Sequence, residues 1–286
     1  MSLAHVSLLF LLQLGFGSLV TFAVNDRRAL GPRYFKLGGW VLLGLYGLAG
    51  SLAWGPALAA GASSADRQLG LAVAAVTMAT LLFASVSGWD RPALELTLLC
   101  AALLAGAAAV VLSVLPAPPA PLATPPGAAG AGLTKTLVLA AAFASALVLG
   151  FTLWGMILGH WYLVSHGLGV SHLARLVSPL PWLLLAKAAL SGLALALLWK
   201  QFLGPGNHSL GDVLERSPER VLDVVNVWAR IPVGLLVPAV MALMAAVTVR
   251  MERTQPATGI LYAMTVLVLL GELFGKMVEG STGVPL

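Results

Sequence analysis

Ala257-Thr-Gly-Ile-Leu-Tyr-Ala-Met-Thr-Val-Leu-Val-Leu-Leu-Gly-Glu-Leu-Phe-Gly-Lys-Met-Val278 is the stretch that decides the fold. It reaches the length at which a helix crosses a hydrocarbon core, roughly 20 mostly apolar residues. It also carries Glu272 and Lys276 toward one end, where each charge demands a reason. Seven more stretches of this kind precede it, at residues 3–24, 37–60, 69–87, 92–115, 137–158, 179–198 and 224–249. In lipid the backbone must satisfy its own hydrogen bonds, so such runs are helices. They are continuous rather than alternating, which excludes a membrane barrel. The fold class is therefore all-α, a polytopic transmembrane bundle of about eight helices.

Composition agrees. Hydrophobic residues make up 59% of the 286 and charged residues only 9%, against about 45–50% and 25% in soluble domains. The first run lacks the basic start of a signal peptide and exceeds its apolar length, so it reads as a span. The net charge of +5 is scattered over short loops, which makes it a topology signal rather than a nucleic-acid surface. Arg27, Arg28, Arg33, Lys36, Arg91, Arg175, Arg250 and Arg253 fall on one side. The opposite side holds Arg67, Lys135, Lys200, Arg216, Arg220 and Lys276. The first set is the denser and is expected in the cytoplasm. Both termini are then expected on the outer side, periplasmic for a bacterial inner membrane.

Residues 116–134 are rich in Pro, Ala and Gly and read as an extended tether. The tether divides the chain into a first four-helix half, 1–115, and a second, 135–286. Leu14-Gly15-Phe16 and Leu149-Gly150-Phe151 occupy corresponding places and hint at a parallel repeat. Leu210, Val213 and Leu214 alternate with Asp212, Glu215 and Arg216, which predicts a helix on the outer membrane surface near 209–216. Ser217-Pro218-Glu219 then reads as a helix start, and Pro232 and Pro238 should bend the seventh helix.

The ionisable residues inside the spans are the candidates for chemistry. Glu272 and Lys276 stand four apart, in the favourable order for a pair, with Lys276 otherwise snorkelling to the surface. Arg230 lies at a depth comparable to Glu272 on the preceding helix, so the two are expected to meet or to share a polar pocket. Such a pocket would suit a quinone head group or a proton path; a structural ion pair is the plainer account. Lys187, in Leu185-Ala-Lys-Ala-Ala, has no acidic residue within a turn, so its partner must come from another helix or another subunit, or the lysine must be neutral. His160, His166 and His172 cluster at the inner end of the fifth span, with His5 and His208 at the opposite face. No histidine pair sits at mid-membrane, so a b-type haem would have to use interfacial positions, with His160 the best ligand. A hydrogen bond to Glu95 or Asp90 is the alternative for His160. Cys100 is the lone cysteine and reads as a small packed residue. No metal-ligand set, phosphate loop, CxxC pair or nucleophile elbow is present in the sequence, and no catalytic residue is assigned.

The segment Ala257-Thr-Gly-Ile-Leu-Tyr through Gly271-Glu272-Leu-Phe-Gly275-Lys276, with Arg230-Ile-Pro-Val-Gly234 before it, resembles the membrane-anchor subunits of polysulfide and dimethylsulfoxide reductases. The likeness covers about a fifth of the chain, and no quinone motif of that family maps onto it residue by residue. The resemblance implies eight helices in two four-helix halves, commonly without haem, exchanging electrons between quinone and iron–sulfur partner subunits. The expectation is a non-catalytic integral subunit of a bacterial electron-transfer complex. Quinone is its expected cofactor, and lipid and redox subunits are its partners. A quinone or haem environment is assigned to Arg230, Glu272, Lys187 and His160. The alternatives are a haem-binding subunit, a proton-coupled solute transporter using Lys187 and Glu272, and a structural scaffold.

Overall fold

The computed structural model describes residues 3–89, 91–115, 128–164, 168–203, 209–211, 213 and 220–286, without the side chains of 128–131. Every named element is a helix: α1 (Leu3–Val24), α2 (Arg27–Leu58), α3 (Ser64–Val86), α4 (Pro92–Val114), α5 (Ala128–Val164), α6 (Ser171–Val177), α7 (Leu180–Leu197), α8 (Trp199–Leu203), α9 (Val221–Arg230), α10 (Val237–Arg250) and α11 (Thr254–Thr282). A π-helical turn, Ile231–Leu236, joins α9 to α10. Eight helical stretches are long and apolar enough to cross a membrane, and the chain is an integral membrane protein of the all-α polytopic class.

Local chemistry sets the helix ends. Asp26 caps α2, its Oδ1 accepting from the Arg28 N–H at 3.0 Å. Just inside α2, Gly31 adopts φ 75° before Pro32 and kinks the first turn. Ser63 and Asp66 form a reciprocal box at the start of α3: Ser63 Oγ accepts from Asp66 N at 3.1 Å, and Asp66 Oδ2 accepts from Ser63 N at 3.2 Å. Ser63→Ala is expected to cost about 1 kcal/mol, the usual worth of such a cap. Thermal unfolding in detergent would read this as a lowered midpoint, and an unchanged midpoint would mean that the box contributes nothing.

α5 starts at Ala128, inside the stretch expected to be tether. Ala128, Ala129 and Ala131 are strong helix formers, and they extend the fifth helix toward its N-terminus. The remainder of that stretch, 116–127, lies outside the described residues. So do Ser217-Pro218-Glu219 and much of the expected surface helix near 209–216; Val213, which is described, is buried beside Phe202 and Val227. Pro232 and Pro238 mark the π turn, where the Val237 N–H reaches back to Pro232 O. Proline lacks an N–H and cannot close the regular ladder, so the register there widens.

α1 to α4 pack in a ring in chain order, with α4 closing on α1. A second ring is made by α5, α7, α10 and α11, with α11 closing on α5. The rings meet along α1 and α5. Phe16 packs edge-on against Phe143 at 5.4 Å, Gly17 lies against Ala146 and Gly150, and Phe22 meets Trp154 at 4.5 Å. The indices rise together, so the two helices run parallel, as first and fifth spans must. The repeated tripeptides do not sit in equivalent places, because Gly15 faces Tyr46 whereas Gly150 faces Gly17. Below this crossing, Phe22, Tyr34, Phe35, Phe83, Trp154 and Trp161 form an aromatic knot that ties α1, α2, α3 and α5.

Candidate functional site

Six charged side chains are buried in and beside the second ring: Lys187 on α7, Asp223 and Arg230 on α9, and Glu272, Lys276 and Glu279 on α11. A charge at the centre of a membrane helix costs about 2.5–3.5 kcal/mol on insertion scales, so all six need answering groups. The structure supplies them from several elements at the end of the bundle where α1 begins, the end read as outer.

Arg230 and Glu272 meet, as expected from their matched depths. Arg230 Nη2 donates to Glu272 Oε1 at 3.2 Å and Nη1 donates to Gly271 O at 2.7 Å. Glycines make the approach possible. Gly234 and Gly271 touch backbone to backbone, and a Cβ on Gly275 would occupy the place of Arg230 Nη1. The π turn carries Gly234 to this crossing, so the backbone irregularity and the ion pair occur together. α9 is pinned to α11 once more by Ser281, whose hydroxyl donates to Asp223 Oδ1 at 2.5 Å.

Lys276 departs from the expectation. It donates to Glu279 Oε2 at 2.5 Å, three residues onward, and not to Glu272. It does not snorkel either, being 1% exposed. Glu272 is already held by Arg230, whereas Glu279, beyond the apolar run, has no guanidinium competing for it. Lys276 and Lys187 still act on the charge of Glu272, more weakly than Arg230 does.

Lys187 finds its partners on other elements, as its isolation in sequence requires, but they are carbonyls. Nζ donates to Leu286 O at 2.8 Å and to Ala141 O of α5 at 3.3 Å. The tail reaches it because α11 ends at Gly283 with φ 73° and folds back. Gln201 Nε2 holds Thr282 O at 3.0 Å, and Val284 and Leu286 are buried against Phe202, Val227 and Val278. Three basic side chains, Lys187, Arg230 and Lys276, are buried here with three acidic ones, Asp223, Glu272 and Glu279. Polar atoms also remain unsatisfied around this cluster: Arg230 Nε, Ser191 Oγ and both amide atoms of Gln13 close no hydrogen bond. Buried groups left so are rare in folded proteins and call for a bound molecule or water.

His160 stands apart. It is exposed, its ring edge-on to Tyr262 at 6.3 Å. Ser145 lies beside Glu272, and His160 follows Ser145 on the same helix by a rise of about 22 Å. It is therefore no neighbour of the charged cluster. Its possible partner Glu95 is taken by Arg27, which also lies over the rings of Phe35 and Phe83 at 5.0 and 5.9 Å; Asp90 and His166 are outside the described residues. The Arg27–Glu95 pair was not foreseen in sequence, where Arg27 read as a topology signal and Glu95 as a partner for His160. Cys100 faces outward instead of packing inside. Among the described residues no group of three or more His, Cys, Asp or Glu side chains could hold a metal ion. Comparison with family models, with curated proteins and with solved structures returns no match to this chain.

Proposed function

We propose that this chain is the membrane-anchor subunit of a bacterial electron-transfer complex, and that the Arg230–Glu272 pair with Lys187 forms the polar end of a quinone head-group site. The observation that carries the reading is the buried charged cluster, with polar atoms left unsatisfied, inside an otherwise apolar ring. A quinone offers two carbonyl oxygens that accept hydrogen bonds, and its reduction builds negative charge on them. Arg230 Nε and the Lys187 ammonium are donors of the required sign. Glu272 holds the guanidinium of Arg230 in place through Oε1. The apolar helices suit an isoprenoid tail. Iron–sulfur or other redox subunits would carry the electrons, docked on a chain seated in the inner membrane with its termini periplasmic.

The test is saturable binding of a short-tailed benzoquinone to the purified protein in detergent, followed by tryptophan quenching. Loss of one charge-assisted hydrogen bond, worth about 1.5–3 kcal/mol, should weaken binding of Arg230→Lys at least about tenfold. Non-saturable quenching in the wild type, or equal affinity in Arg230→Lys, would remove the quinone site. A visible spectrum of the same sample identifies any haem directly, and gentle purification from native membranes identifies the redox partners.

A further inference from the structure

α5 and α11 face each other in antiparallel register along nearly the whole bundle. Ser145 lies beside Glu272, the Thr265 hydroxyl reaches Thr152 O at 3.4 Å, and Gly159 packs on Thr258. Each step is seven residues on both helices, in opposite directions. The same period continues outward to Glu279, so that Thr258, Thr265, Glu272 and Glu279 form one buried polar line on α11. At 1.5 Å per residue this line is about 31 Å long, close to the roughly 30 Å of a hydrocarbon core. An inner-facing helix seam made only for packing would be filled with alkyl groups and small residues; here every seventh position is a hydroxyl or a carboxylate.

The hydroxyls are not simply absorbed by their own helices. Thr258 and Thr265 do donate to carbonyls four residues back, at 2.8 and 2.7 Å, which leaves their oxygens free to accept. On the α5 side Thr152 Oγ1 is buried and closes no hydrogen bond, while the Ser145 hydroxyl meets the Glu272 carboxylate. Gln13, one turn before Gly17 on the α1 face that meets α5, is fully buried with both amide atoms unpartnered. Glu272 is held by Arg230 through Oε1 and is also met by Ser145. Unsatisfied buried polar atoms in a row are the setting in which water is retained inside a protein, since each water needs two to four polar partners.

We infer that the α5–α11 seam is a transmembrane proton path, with Ser145, Thr152, Thr258 and Thr265 ordering a file of water that delivers protons to Glu272. A proton enters from the inner aqueous phase at the Thr258 end and hops between water and hydroxyl oxygens. Each oxygen gains one proton as it loses another, and Oε2 of Glu272 takes the proton at the end of the file. Release is outward past the Lys276–Glu279 pair, where His5 also faces Glu279. No electron moves and no bond to carbon changes. The inference does not rest on the quinone reading, and its assay contains no quinone.

The experiment is proton uptake by vesicles of phosphatidylcholine and phosphatidylglycerol containing the full chain, a trapped pH dye and a valinomycin-clamped potassium gradient. Wild-type vesicles should take up protons faster than protein-free ones. Thr152→Val and Thr265→Val should each slow uptake about tenfold, one added barrier of the size that gives a decade in rate, and Glu272→Gln should abolish it. Thr152→Ser keeps a hydroxyl and should conduct, which separates the relay from packing even where the valine variant folds poorly. Thr97→Val, on an exposed hydroxyl of α4, should conduct as the wild type does. Wild-type uptake no faster than that of empty vesicles overturns the proposal, as does a folded Thr152→Val protein that conducts normally.

Discussion

Arg230→Leu should lower the stability of the protein by about 3–5 kcal/mol, the cost of breaking a buried pair from one side. The loss comes less from the missing attraction than from what remains. Glu272 is 3% exposed, and without the guanidinium its charge is met chiefly by Lys187 and Lys276, both weaker influences on it. Gly271 O would lose its 2.7 Å donor, and the space over Gly275 that the guanidinium fills would be left under-packed. The double variant Arg230→Leu/Glu272→Leu removes both charges and should recover most of the loss, because an apolar replacement of a whole buried pair is often neutral or better. Unfolding in a detergent–denaturant titration, followed by tryptophan fluorescence, measures all three proteins. A single variant as stable as the wild type, or a double variant no better than the singles, would show that the two side chains are not energetically coupled. If the double variant is stable but loses a saturable quinone binding that the wild type shows, the pair is retained for its chemistry and not for the fold.

How much of this was legible in sequence depends on the distance over which each feature is decided. The eight spans were legible because a membrane helix is specified by its own residues. Arg230 and Glu272 could be paired because a short connection makes the seventh and eighth spans neighbours of opposite direction, so depth alone aligns them. The partner of Lys276 was misread: spacing on an isolated helix favours Glu272, but the tertiary hold of Arg230 on that carboxylate decides the matter. The partners of Lys187 were beyond reach, since Leu286 and Ala141 are 99 and 46 residues away and offer only carbonyls, which leave no mark in a sequence. The polar line on α11 had a signal, a seven-residue period of Thr258, Thr265, Glu272 and Glu279 inside an apolar run. Its meaning needed the register with α5, in which Ser145 and Thr152 complete it. The Arg27–Glu95 pair joins two helix starts that only the ring of α1 to α4 brings together.

Gly150→Val is expected to be the most damaging change outside the charged cluster, at about 3 kcal/mol, the upper part of the range for overpacked cores. A Cβ at Gly150 falls on the backbone of Gly17, and one at Gly17 falls on the carbonyl of Ala146. No side-chain rotation relieves either clash, because the obstructing atoms are main chain; the helices must part. Since α1 and α5 are the principal contact between the two rings, parting them loosens the whole molecule rather than one residue. Gly47→Ala tests the argument from the other direction. Its Cβ would meet nothing within 4 Å, and replacing a helical glycine where space and backbone allow gains about 0.4–1 kcal/mol. Thermal midpoints in detergent should therefore fall for Gly150→Val and Gly17→Val, and hold or rise for Gly47→Ala. The proton path adds a further consequence. α5 carries Ser145 and Thr152, so a valine that displaces this helix should also reduce proton uptake, in proportion to the stability lost and without touching a hydroxyl. Uptake left intact in a strongly destabilised Gly150→Val protein would mean that the α1–α5 crossing does not set the position of the seam.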